Sequence, residues 1–125
     1  MKLSQIVDIL QAETLVGEDL ERIEITTACG SDLMSDVLCF SKSRGLLLTG
    51  LTNPQSVRTA EMSEIAAVCF VRGKRPPPET LELARKNRIP LLLTDRSMFT
   101  ACGLLYAAGL QGCSEAVTRD SHDAG

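Results

Sequence analysis

The sequence predicts an α/β fold of three layers (α/β/α), with a mostly parallel sheet between helices, and three apolar runs carry that prediction. They are Gly45-Leu46-Leu47-Leu48-Thr49-Gly50, Ala66-Ala67-Val68-Cys69-Phe70-Val71-Arg72-Gly73 and Ile89-Pro90-Leu91-Leu92-Leu93-Thr94-Asp95. None alternates polar with apolar, which suits strands buried on both faces. Each closes on a turn followed by a helical stretch, and strand–helix–strand units of this length imply parallel pairing with right-handed crossovers. Composition sets the kind of core. Of 125 residues 44% are apolar but only 3% aromatic, with no Trp, so the interior must be aliphatic.

Leu3, Ile6, Val7 and Leu10 recur at helical spacing, giving an amphipathic first helix over residues 2 to 11. Thr14-Leu15-Val16 before Gly17 reads as a short strand with its turn. Residues 22 to 27 alternate polar with apolar or β-branched side chains and suggest an exposed or edge strand, which Ala28-Cys29-Gly30-Ser31-Asp32 breaks. Ser31 or Asp32 can then cap a helix through Leu33, Met34, Val37 and Leu38. After the first apolar run, Asn53-Pro54 has the form of an N-cap with Pro at the first helical position, opening a helix to about Met62. Pro76-Pro77-Pro78 leads stiffly into a helix over residues 79 to 87. Asp95 or Ser97 caps a last helix that Gly109 stops. The domain is expected to span residues 1–110; residues 111–125 turn polar and small, and read as a disordered tail without a fold role. Thr27-Ala28-Cys29-Gly30 is echoed by Thr100-Ala101-Cys102-Gly103, but one lies at a strand end and the other inside a helix, so the echo reads as chance.

A net charge of −3 and the scarcity of aromatic stacking platforms argue against nucleic acid as a partner. No apolar run approaches the roughly 20 residues of a membrane span, and nothing at the N-terminus resembles a signal peptide, so a cytoplasmic protein is expected. Five cysteines without CxxC spacing then read as free thiols. Cys39 and Cys69, in apolar runs, are expected in the core, and Cys113, near the tail, is expected to react quickly.

In parallel sheets ligands collect outside the carboxyl ends of the strands. Thr49, Gly50, Asn53, Arg72, Gly73, Lys74 and Thr94 fall on that edge and are the candidate ligand-binding residues. Glycines there let backbone approach a ligand, helix starts favour anions, and Arg72, Lys74 and Arg75 add positive charge. A small anion such as a phosphate or nucleotide is the matching ligand, although neither loop spells GxxxxGK[ST] or GxGxxG. Asp95 reads as a cap, and Asp32 with Asp36 makes too poor a set for a cation. The single histidine, His122, lies in the tail, so neither a Cys–His pair nor a His-based metal site is expected, and no catalytic set appears. No cofactor is expected.

From Leu46 to about Leu110 the chain resembles the DRTGG domain family. The text that carries the likeness is Leu47-Leu48-Thr49-Gly50, then Val68-Cys69-Phe70-Val71-Arg72-Gly73-Lys74-Arg75-Pro76, Leu81-Glu82-Leu83-Ala84-Arg85, and Ile89-Pro90-Leu91-Leu92-Leu93-Thr94. The chain departs from the family where Thr-Gly-Gly often follows the central strand, having Arg72-Gly73-Lys74, and its Asp95-Arg96 is not the pair of the family name. The resemblance implies a fold like the N-terminal domain of HPr kinase/phosphorylase, and a non-catalytic regulatory or assembly role such as DRTGG domains play beside CBS domains. Small stand-alone members are similar to those encoded beside iron-only hydrogenase components.

Three functions follow as expectations. The first is a non-catalytic regulatory or scaffolding domain that self-associates as a homodimer and senses a small anion. The second is an accessory protein with a partner in a redox or hydrogenase system, using Cys29 or Cys102. The third is a small enzyme acting on a phosphorylated substrate. Met34, Leu38, Phe99 and Tyr106 are the apolar residues expected to contribute to a dimer contact.

Overall fold

The structure is a computed structural model that describes residues 1–113 of the chain. In chain order it comprises α1 (Leu3–Leu10), β1 (Glu13–Val16), a 3-10 turn (Leu20–Arg22), β2 (Thr27–Gly30), α2 (Met34–Phe40), β3 (Leu46–Thr49) and α3 (Pro54–Met62). Then come β4 (Ala67–Phe70), α4 (Pro78–Asn87), β5 (Leu91–Leu93), α5 (Met98–Ala107) and β6 (Gln111–Gly112). The strands form one sheet in the order β1-β5-β4-β3-β2-β6. β1 runs antiparallel to β5, and every other neighbouring pair is parallel.

The apolar runs become central strands because both faces of the sheet are covered. Side chains alternate across a strand. Leu46, Leu48, Ala67, Cys69, Val71 and Leu92 therefore pack with Leu3, Ile6 and Leu10 of α1 and Ala101 and Leu105 of α5. Leu47, Val68, Phe70, Leu91 and Leu93 turn to the other face, against Met34 and Val37 of α2, Val57 and Ala60 of α3, and Ala84 of α4. Layers and sheet match the fold expected from the sequence.

Several details differ. Residues 22 to 27 do not make an edge strand: the 3-10 turn consumes Leu20–Arg22, and the strand is Thr27–Gly30, held between β3 and β6. The stretch read as a break thus pairs with Leu46, Leu47 and Leu48 instead. The helix after it starts at Met34 with no side-chain cap, and Ser31 Oγ accepts from the Leu33 amide rather than capping the first turn. Ser97, not Asp95, caps α5, its hydroxyl accepting from the Thr100 amide. Gln111 and Gly112 pair with Thr27 and Ala28 as β6, so the fold continues past residue 110; residues 114–125 of the expected tail lie outside the described residues.

The thiol expectation reverses at two positions. Cys39 sits exposed on α2, whereas Cys113 is buried at 4% exposure, one position beyond the β6 residue paired with Ala28 and so beside Cys29. Cys69 is buried as expected. Met34 faces the core and is not available as a contact surface, while Leu38, Phe99 and Tyr106 are exposed. Among the described residues no helix is long and apolar enough to cross a membrane.

The candidate ligand edge

The helices divide the sheet's carboxyl edge. Chains leaving β2, β3 and β4 turn to the face of α2, α3 and α4, whereas the chain leaving β5 turns to the opposite face to enter α5. A crevice is expected where neighbouring strands part in this way, here between β4 and β5. The crevice is laced shut. The Arg72 amide donates to the Arg96 carbonyl at 2.8 Å, and the Gly73 amide donates to the Thr94 carbonyl at 2.9 Å.

Two consecutive left-handed residues make that lacing. Arg72 has φ 60° and Gly73 φ 66°. A Cβ on Gly73 would stand 2.9 Å from Asp95 Oδ1, so glycine is favoured both by the left-handed backbone and by the carboxylate beside it. Thr94 is buried, and its hydroxyl donates to the Leu10 carbonyl at 2.8 Å while accepting from the Arg96 amide. That hydroxyl ties β5 to the end of α1, and its single donor is spent, so Thr94 shapes the edge without donating to an anion.

A second cluster lies at the end of β3. The buried Thr49 hydroxyl donates to Asp32 Oδ1 at 2.8 Å, and the Gly50 amide donates to the same oxygen at 2.7 Å. Thr49 Oγ1 also accepts from the Leu51 amide. The stem of the exposed Lys74 passes 3.9 Å from the point where a Gly50 Cβ would be, beside the cluster but without an ion pair to Asp32. Asn53 stands just beyond as the N-cap of α3, its Oδ1 accepting from the Gln55 amide at 3.1 Å.

The seven candidate residues are therefore placed on one edge in two adjoining groups, Thr49, Gly50 and Lys74 in one and Arg72, Gly73 and Thr94 in the other, with Asn53 spent as a cap. Sequence reasoning missed Asp32. It appeared as a cap candidate or half of a weak cation pair, because the strand was taken to end before Ala28. Had β2 been extended to Gly30, Asp32 would have fallen on the ligand edge. Arg75, also expected on this rim, pairs with Glu13 at 2.6 Å.

The cysteines offer little chemistry. Burial pushes the Cys29 thiol up to about 12, with the neighbouring Cys113 and Cys102 thiols and the Asp36 carboxylate acting in the same direction. Burial also raises Cys102. Thiols so held are poor nucleophiles and poor ligands, since the thiolate is the reactive species. Among the described residues no group of three His, Cys, Asp or Glu side chains could hold a metal ion.

No protein-family model matches the chain, and no curated protein does. Among solved structures it is similar to the CBS and DRTGG domains of the regulatory region of Clostridium perfringens pyrophosphatase, a crystal structure complexed with the activator diadenosine tetraphosphate. The TM-score is 0.67 at 21% identity, over 83% of this chain and 45% of that one. The chain thus spans a little under half the length of that neighbour. The likeness is one of fold and supports a DRTGG-related architecture.

Proposed function

We propose that the chain is a non-catalytic regulatory domain that senses a small anion, a phosphate or nucleotide, at the carboxyl edge of its sheet. Thr49, Gly50, Asn53, Arg72, Gly73, Lys74 and Thr94 form that edge. The observation that carries the reading is the convergence of the Thr49 hydroxyl and the Gly50 amide on a single Asp32 oxygen, with Lys74 beside them. Two donors converging on one oxygen, with a lysine stem beside them, make a small anion site, and the chain fills it with its own carboxylate. An incoming phosphate displaces Asp32, freeing the loop between β2 and α2. That release is the signal. The neighbour's regulatory character supports the reading, and so does the commitment of the Thr49 and Thr94 hydroxyls to internal partners. The redox alternative loses its reagent in the raised Cys29 and Cys102 thiols.

Self-association in the cytoplasm completes the proposal. α5 is apolar around its whole circumference, yet Phe99 is 88% and Tyr106 63% exposed. Covering them against a second copy removes that surface from water. Light scattering should give a dimer, and a monomer for Phe99→Glu; a monomeric wild-type protein refutes this part.

The ligand test is a thermal-shift screen over nucleotides and inorganic phosphate. A true ligand at a hundredfold excess over its dissociation constant adds roughly 2.7 kcal/mol. Asp32→Ala empties the nest and should strengthen binding, while Lys74→Ala and Arg72→Ala should weaken it. A ligand response indifferent to all three substitutions, or no response to any anion, refutes the site.

A further inference from the structure

The amino edge of the sheet holds a groove of about 750 Å³, open to solvent and within the size range of small-molecule sites. Its floor is apolar: Leu15 and Val16 at the end of β1, Ile23, and Ile89 and Pro90 leading into β5. Gly17 shapes it. With φ 125°, and with a Cβ that would stand 3.1 Å from the Pro90 Cβ, this turn brings the exit of β1 down onto Pro90 in a way open to glycine alone. Arg85 and Arg88 line one side, both from the end of α4, and Glu18 lies at the exit of β1.

The two guanidiniums have no carboxylate within ion-pair reach among the described residues, where the ion pairs engage Glu24 and Glu13. Arg85 complements the carboxyl end of the α4 dipole. That role needs neither a second arginine nor a concave apolar floor beside it. An apolar floor with a few convergent polar groups is the ordinary composition of a small-molecule site. The state of this edge is opposite to that of the carboxyl edge, whose donors are filled by the chain's own carboxylate and carbonyls.

We propose that this groove is a second binding site, independent of the carboxyl edge, for a small organic anion with a compact apolar body and a single carboxylate or phosphate head. The body covers Val16, Ile89 and Pro90, and the head lies against Arg85 and Arg88, whose planar forks match such oxygens. Glu18 disfavours a ligand charged at both ends.

The test uses phenyl phosphate as probe, with inorganic phosphate and phenol as its separated halves, followed through backbone amide signals. Phenyl phosphate should move the Gly17, Ala66 and Arg88 amides and bind more tightly than either half. Arg85→Gln with Arg88→Gln, both exposed and away from the core, should weaken it by about tenfold or more. Lys74→Ala should leave it unchanged, which separates this site from the carboxyl edge. The proposal is overturned if the double variant binds the probe as well as the wild type or if the moved amides are those of Gly50 and Lys74. It is equally overturned if inorganic phosphate binds as tightly as phenyl phosphate, or if no amide in the groove responds.

Discussion

Raising the pH should destabilise this protein through the buried thiol of Cys69. Cys69 is 0% exposed in the middle of β4, on the face covered by α1 and α5, and its thiol meets only the Phe70 carbonyl at 3.7 Å. Burial, helped by the nearby Cys102 thiol, pushes it from the ordinary 9.0 up to about 12. The folded state therefore favours the neutral thiol. Its contribution is complete below the unfolded value and is lost as pH rises from there towards the folded one, because only the unfolded chain ionises in that window.

Each unit of that window corresponds to 1.36 kcal/mol. The loss from Cys69 alone is then about 1 kcal/mol by pH 10 and about 3 kcal/mol by pH 11, against a total stability of about 5–15 kcal/mol for a small domain. Cys29 acts in the same direction with a smaller share, since it is only half-buried. The assay is urea unfolding followed by circular dichroism from about pH 8 to about pH 11, for the wild type and Cys69→Ala. The variant starts less stable but should lose stability less steeply, so the two curves converge as pH rises. Parallel curves would mean that Cys69 ionises in place, and the reasoning from burial fails.

Gly73→Ala should destabilise by about 1–2 kcal/mol from its left-handed backbone alone, with a further loss from the 2.9 Å approach to Asp95. Pairing it with Asp95→Ala should recover the second part and not the first, as read by thermal unfolding. Thr94→Val should cost about 1–3 kcal/mol, because the buried Leu10 carbonyl loses its donor and the Arg96 amide its acceptor. Thr94→Ser keeps the hydroxyl and should recover most of it; equal losses in both variants would count against the hydrogen bond.

The three central strands were legible because fully apolar runs of four to eight residues between turn signals have few other uses. The same property hid their orientation. Where every position is apolar, nothing in the run says that Leu47 and Phe70 face α2, α3 and α4 while Leu48 and Cys69 face α1 and α5. β2 was illegible for a different reason: Thr27-Ala28-Cys29-Gly30 has little strand propensity and forms because Leu46–Leu48 offers a partner. Two residues of β6 carry no periodicity at all. The candidate edge inherits both limits. Its members after β3, β4 and β5 could be named, because those strands could be. Asp32 depended on β2 and was lost with it. The packing of Gly30 on Cys102, whose sulfur would be 2.7 Å from a Cβ there, brings the two halves of the tetrapeptide echo together, and no pattern within either half announces it.

The contrast between the two edges follows from topology. At the carboxyl edge five parallel strands end side by side, and the loops after β2, β3, β4 and β5 lie close enough to satisfy one another: Asp32 reaches Gly50, and Arg72 and Gly73 reach the segment from Thr94 to Arg96. β1 alone runs the other way, and so delivers its own exit, Gly17 and Glu18, to the amino edge beside the end of α4. Nothing on α4 reaches back across: the α4 groups that line the space are Arg85 and Arg88, and Glu18 forms no ion pair with either. One edge therefore carries an internal anion that a ligand must displace, and the other carries cations that a ligand must supply with charge. Added salt should separate them, since exposed charges are screened within about 8–10 Å at ordinary ionic strength. Salt weakens attraction to Arg85 and Arg88 directly, whereas at the carboxyl edge the ligand also takes over the hydrogen bonds that the Thr49 hydroxyl and the Gly50 amide give to Asp32. Binding at the amino edge should fall more steeply with salt, and the reverse order would count against assigning the two edges these opposite roles.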